Sequence, residues 1–172
     1  MITIEASAKE RKQAKAAHEL FTTNAIVVHI FLSLGLVKIF NLGMSVSIAT
    51  AIAISLCIIA YTYLRSKKSK QNDPHLVYLH WQLAFNRYKI LLVAYGFYAL
   101  VILASVFISA DAPASMDGSN IMGSVLSILG VVPLFFAVLV SAVLGSGSMF
   151  NAGRGEIDEK FMQKYPQWTN LI

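Results

Sequence analysis

Three of the four histidines, His18, His29 and His80, fall within or at the edge of long apolar stretches. Imidazole is the side chain that changes charge near neutrality, and it ligates metals through either ring nitrogen. His29 lies about ten residues into the first apolar stretch, near mid-bilayer. An ionisable group at that depth is a functional candidate by default. It suits a haem ligand, a quinone contact or part of a gate. The plainer reading is a neutral histidine hydrogen-bonded to a neighbouring helix, for instance to a serine of the second. His18 precedes it by eleven positions, on nearly the same helical face, and His80 should reach a similar depth on the third helix. The two could approach each other and ligate one haem. His80 and Arg87 are seven positions apart on one face, so they could hold a lipid phosphate or a quinone head group. Arg87 alone reads as an interface residue that snorkels to water.

Other chemistry is missing. No acidic residue lies inside an apolar stretch, which argues against a carrier driven by proton or sodium binding to an intramembrane carboxylate. There is no H-E-x-x-H zinc spacing and no G-x-S-x-G hydrolase turn. Gly145-Ser146-Gly147-Ser148 and Gly153-Arg154-Gly155 fit neither phosphate-loop spacing, and read as a flexible linker. The single cysteine, Cys57, allows no intramolecular disulfide and reads as a small packing residue.

The elements that position these residues follow from hydropathy. Of 172 residues, 56% are hydrophobic and 13% charged, against about 25% charged in soluble domains. Mean hydropathy is +0.63. A helix needs roughly 20 apolar residues to cross ~30 Å of hydrocarbon. Four stretches qualify, at about 20–40, 43–64, 88–109 and 121–144. The first is too long for a signal-peptide core and reads as an uncleaved anchor. This divides the chain into an N-terminal helical segment (1–19), a bundle (20–144), and a linker with an amphipathic tail (145–172).

The second stretch alternates small and bulky residues. On a helix, Gly43, Ser47, Ala51 and Ser55 form one small ridge, and Ser45, Ala49, Ala53 and Cys57 another. Small ridges let helices approach closely in lipid, so the second helix is expected to be central and packed on more than one side. The fourth stretch carries a shorter ridge, Ala137, Ser141 and Gly145, with Gly130 and Pro133 marking a kink.

Thirteen of the fourteen basic residues fall in the N-terminal segment, the second connection or the C-terminal tail; only Lys38 lies toward the other side. The third connection, 111–120, holds Asp111 and Asp117 and no basic residue. Basic loops stay inside, so both termini are expected in the cytoplasm. Tyr61, Tyr63, Tyr78, Trp81, Phe85 and Tyr88 would form an aromatic belt at that interface. Asp73 and Pro74 resemble an N-cap and first helical position, which would give a third helix of about 54 Å from Pro74 to Ser109. Residues 5–19 read as a helix running into the first span, without an apolar stripe and therefore solvated or laid against a partner. Ile157, Phe161, Tyr165 and Trp168 recur at spacings of four, four and three, one face of an amphipathic helix for the membrane interface or a protein partner.

The expected fold is all-α: a four-transmembrane-helix bundle with cytoplasmic termini and a C-terminal amphipathic helix, in a bacterial cytoplasmic (inner) membrane. The expected function is that of a non-enzymatic subunit or scaffold of a larger membrane complex of the respiratory, secretion or conjugation type. Its partners would be membrane lipids and other subunits or further copies of itself, not nucleic acid. One alternative is a homo-oligomeric channel or facilitator, with Thr22, Thr23, Asn24, His29 and Ser33 on a partial wet face. Another is a membrane subunit that binds haem or quinone.

Overall fold

The computed structural model describes residues 1–110 and 118–166. Four long helices dominate: α1 (Ala8–Lys38), α2 (Met44–Asn72), α3 (His75–Ala110) and α4 (Gly118–Arg154). Each is long and apolar enough to cross a membrane, which fits an all-α bundle of the multi-pass kind. Asp111 and Asp117 lie outside the described residues.

Ser7 starts α1 with a capping box: its hydroxyl accepts from the Glu10 N–H at 3.3 Å, and its own N–H donates to the Glu10 carboxylate at 2.6 Å. The middle of α1, Asn24–Leu32, is wound as a π-helix. At the tight turn between α2 and α3, Asp73 does not cap α3. Its backbone N–H closes α2 on the Ser69 carbonyl, and its carboxylate pairs with Arg65 at 2.5 Å. A cation two turns back on α2 is a stronger partner for that carboxylate than a neutral N–H. The first α3 hydrogen bond runs instead from the Tyr78 N–H to the Pro74 carbonyl, at 3.1 Å.

The bundle centres on the first half of α1 with α3 and α4, not on α2. Phe21, Tyr88, Leu91, Tyr95, Leu134 and Val138 form the main apolar cluster, with the Phe21 and Tyr88 rings edge-on at 4.7 Å. On α2, Ser47, Ala51 and Ser55 are buried, whereas Ser45, Ala49, Ala53 and Cys57 are exposed, as is Gly43 at the helix start. Positions two apart on an α-helix are roughly 200° apart, so the two small ridges lie on opposite faces. Only one of them meets α1 and α3.

The N-terminal segment belongs to the bundle. Ala14 and Ala17 are fully buried against Leu76, Val77, Trp81 and Ala152. Alanines suffice for that contact because they admit close backbone approach, so no stripe of bulky apolar residues was needed.

The glycine-serine run is not a linker either, since α4 continues through it to Arg154. Gly145 lies where α4 crosses α1, and a Cβ there would collide with Phe21 and Thr22. Gly130 sits similarly close to Tyr98, 3.1 Å from a hypothetical Cβ. Pro133 lies within the same continuous helix.

Past α4 the chain turns at Gly155, whose φ of 73° is easy only for glycine. That turn breaks the expected helical phase. Ile157 is a buried residue of a two-residue strand, β2 (Glu156–Ile157), paired antiparallel with β1 (Ile2–Thr3). Phe161 lies on a six-residue helix, α5 (Glu159–Lys164), capped by Asp158. Tyr165 follows it and meets Phe161 at 4.9 Å and Tyr78 at 6.3 Å between ring centroids. The tail therefore folds back onto the protein and does not present one continuous amphipathic face; Trp168 lies outside the described residues. The strand pair also brings residues 2–3 and 156–157 together, beside the α2–α3 turn.

Candidate functional site: a buried polar seam ending at His29

Polar side chains inside the bundle follow the helical repeat. On α1, positions 18, 22 and 25 share a face; on α3, positions 80, 84, 87 and 91 do; on α4, positions 141, 145, 148 and 152 do. These three faces meet. His18 Nε2 and His80 Nδ1 are 2.8 Å apart, with the rings edge-on at 5.0 Å, and both residues are fully buried. Two imidazoles ligating one metal from opposite sides hold their nitrogens about 4 Å apart, given bonds of about 2 Å each. The two rings are bonded to each other, and no haem plane fits between them. The expected approach of His18 and His80 occurs, but as a hydrogen bond.

Arg87 lies near both rings, and its guanidinium donates to the Leu144 carbonyl of α4. It is turned into the helix contact, so it does not snorkel outward or pair with His80 around a lipid head group. His80 faces the backbone of Glu156, so the β2 strand covers this end of the seam. Several polar atoms here are buried without a protein partner: His18 Nδ1, Thr22 Oγ1, Ser141 Oγ and Ser148 Oγ. Further along, the Tyr88 hydroxyl lies beside Asn24 and Thr62 without a hydrogen bond of good geometry to either.

The far part of the seam is fully connected. Asn24 Nδ2 donates to Ser55 Oγ at 2.7 Å, Ser55 Oγ meets the Tyr95 hydroxyl at 2.6 Å, and that hydroxyl meets His29 Nε2 at 2.5 Å. Three helices are thereby tied together at mid-span. The π-helical winding is what allows it. Asn24 and His29 are five positions apart, and on an α-helix they would diverge by roughly 140°. A π-helix closes its hydrogen bonds from i to i+5, so the two side chains stack on one face. Such segments are rare and recur at functional sites.

Of the sequence candidates, then, the structure joins His18 to His80 and links His29 to the second helix through an intermediary. Ser55, a residue of the inward small ridge, and Tyr95, which no spacing argument singles out, complete the junction. The signal of Tyr95 was a hydroxyl in the middle of an apolar span. Beside His29 lies a cavity of about 180 Å3, lined also by Ser33 of α1, Ile48 of α2 and Leu134 of α4. Comparison with protein-family models, curated proteins and solved structures finds no match for this chain.

Proposed function

We propose that this chain is a non-enzymatic subunit of a larger assembly in a bacterial cytoplasmic membrane, with both termini in the cytoplasm. The observation that carries this reading is the outer face of α2. Ser45, Ala49, Ala53 and Cys57 form a small-residue ridge with no partner helix among the described residues. In lipid, such ridges serve close helix–helix contact, because van der Waals packing replaces the missing hydrophobic drive. The orientation is supported by the clustering of basic residues in the segments that meet at one end of the bundle. A respiratory, secretion or conjugation complex would suit such a subunit.

Cys57 lies on the ridge and is the sole cysteine, so it can report what covers that face. Native membranes would be treated with a thiol-directed photocrosslinker and the products identified by mass spectrometry. A reproducible product with another membrane protein is expected. Cys57 that labels freely with maleimide and gives no protein adduct would mean that lipid alone covers the ridge, and would remove this reading.

A second reading, a homo-oligomeric facilitator, is favoured by the unpartnered polar atoms of the seam, which suit water inside the bundle. It predicts a Cys57 adduct between two copies of the chain, and flux through reconstituted vesicles that responds to His29→Leu.

A further inference from the structure

The cavity beside His29 lies toward the end of the bundle opposite the β1–β2 pair. His29 and Ser33 supply its polar side, while Ile48, Leu134 and Val138 supply apolar walls. Met44 and Phe135 also line it and are themselves 55% and 51% exposed, so the cavity opens sideways between α2 and α4. Among the described residues, no charged side chain lines it. An ion or a charged head group would lose its hydration there without compensation. The volume of about 180 Å3 is below the ~300 Å3 of a typical small-molecule pocket, and suits a single ring.

What His29 offers follows from the direction of the hydrogen-bond chain, taken from Asn24 as its first donor. Ser55 Oγ accepts from Asn24, so the Ser55 proton goes to its remaining partner, the Tyr95 oxygen. The Tyr95 proton then goes to His29 Nε2. This order keeps Asn24 as the donor to Ser55. A neutral His29 accepting at Nε2 carries its own proton on Nδ1. That N–H has no partner among the described residues, on a ring that lines the cavity. The site is therefore an uncharged, ring-sized space with one unspent donor, open past Met44 and Phe135.

We propose that this cavity binds the head group of a quinone-class lipid. A ring carbonyl oxygen accepts from His29 Nδ1–H, the ring packs against Ile48, Leu134 and Val138, and the isoprenoid chain leaves past Met44 and Phe135. A fatty acid fits less well because its carboxylate finds no cation in the lining. A bare acyl chain would leave the donor unmatched. This inference is independent of the assembly reading.

The test uses the full chain in quinone-free phosphatidylcholine nanodiscs, titrated with radiolabelled decylubiquinone, with empty nanodiscs as the partition background. Saturable binding of one molecule per chain is expected. His29→Phe should weaken it about tenfold, the loss of one hydrogen bond with its donor. Met44→Trp, which crowds the exposed rim and leaves the polar chain intact, should weaken it by at least as much and decides the matter if His29→Phe does not fold. Decylbenzene, which has the ring and chain but no carbonyl, should compete at least tenfold more weakly than unlabelled decylubiquinone. Binding no greater than partition, undiminished affinity in Met44→Trp, or equal competition by decylbenzene would each overturn the proposal.

Discussion

His29 Nε2 and the Tyr95 hydroxyl share a 2.5 Å hydrogen bond, and through it α1 is joined to both α3 and α2. The contact depends on the π-helical turn between Asn24 and His29. Tyr95→Phe removes the middle of the chain and leaves Ser55 and His29 without their partner. It should lower stability by about 1–3 kcal/mol, the cost of an unmade buried hydrogen bond. Thermal unfolding in detergent would measure the loss, and amide hydrogen exchange across residues 24–32 should quicken more than elsewhere on α1.

The two glycines of the 145–148 run should behave oppositely. Gly145→Ala places a methyl group against Phe21 and Thr22, and overpacking of that kind costs about 1–3 kcal/mol. Gly147 has open space at its Cβ position. There alanine should be neutral or stabilise by up to about 1 kcal/mol, the helix-propensity difference. Equal effects at both positions in thermal unfolding would mean that the run is not helical.

His18 and His80 should be energetically coupled. Removing either ring strands a nitrogen of the other, so the double variant His18→Ala/His80→Ala should cost less than the sum of the singles. A coupling of about 1 kcal/mol is expected for two hydrogen-bonded groups in contact. Strict additivity in a thermal-unfolding cycle would contradict the 2.8 Å contact.

Asp73, between α2 and α3, provides a pH-dependent term. Burial pushes its carboxyl upward, but the Arg65 guanidinium, the Ser69 hydroxyl and the Lys68 charge outweigh it and hold the group below its ordinary value. A depressed folded value means the stabilisation is complete above the ordinary carboxylate pKa of ~3.9 and is lost as pH falls through the lower folded value. Asp73→Asn should therefore destabilise by about 1 kcal/mol at neutral pH, as a surface ion pair of good geometry does. The difference from the native chain should shrink below about pH 4. A difference that persists unchanged at pH 3 would assign the effect to something other than the ion pair.

Hydropathy made the four spanning helices legible, because each stretch exceeds what a soluble element needs. The near approach of His18 and His80 also followed from their matched depths. Three things were hidden. Gly145-Ser146-Gly147-Ser148 has the composition of an aqueous linker, yet α4 runs through it with the helical hydrogen bonds kept. There, small residues mark close packing against Phe21 and Thr22. The alternation on α2 revealed two ridges but not which of them faces inward, since each is equally small. The junction of Asn24, Ser55, Tyr95 and His29 rests on a π-helical segment, which no residue pattern announces. Ile157 departs from the expected helical face for a local reason: the left-handed turn at Gly155 resets the chain before the apparent helical spacing begins.

The most direct test of the seam is the protonation of His29, read by solid-state nitrogen NMR on histidine-labelled protein in lipid bilayers. The hydrogen-bond order predicts one imidazole protonated at Nδ1 and accepting at Nε2, with the Nε2 signal shifting when Tyr95 becomes Phe. An Nε2-protonated ring, or an Nε2 signal indifferent to Tyr95→Phe, would contradict it.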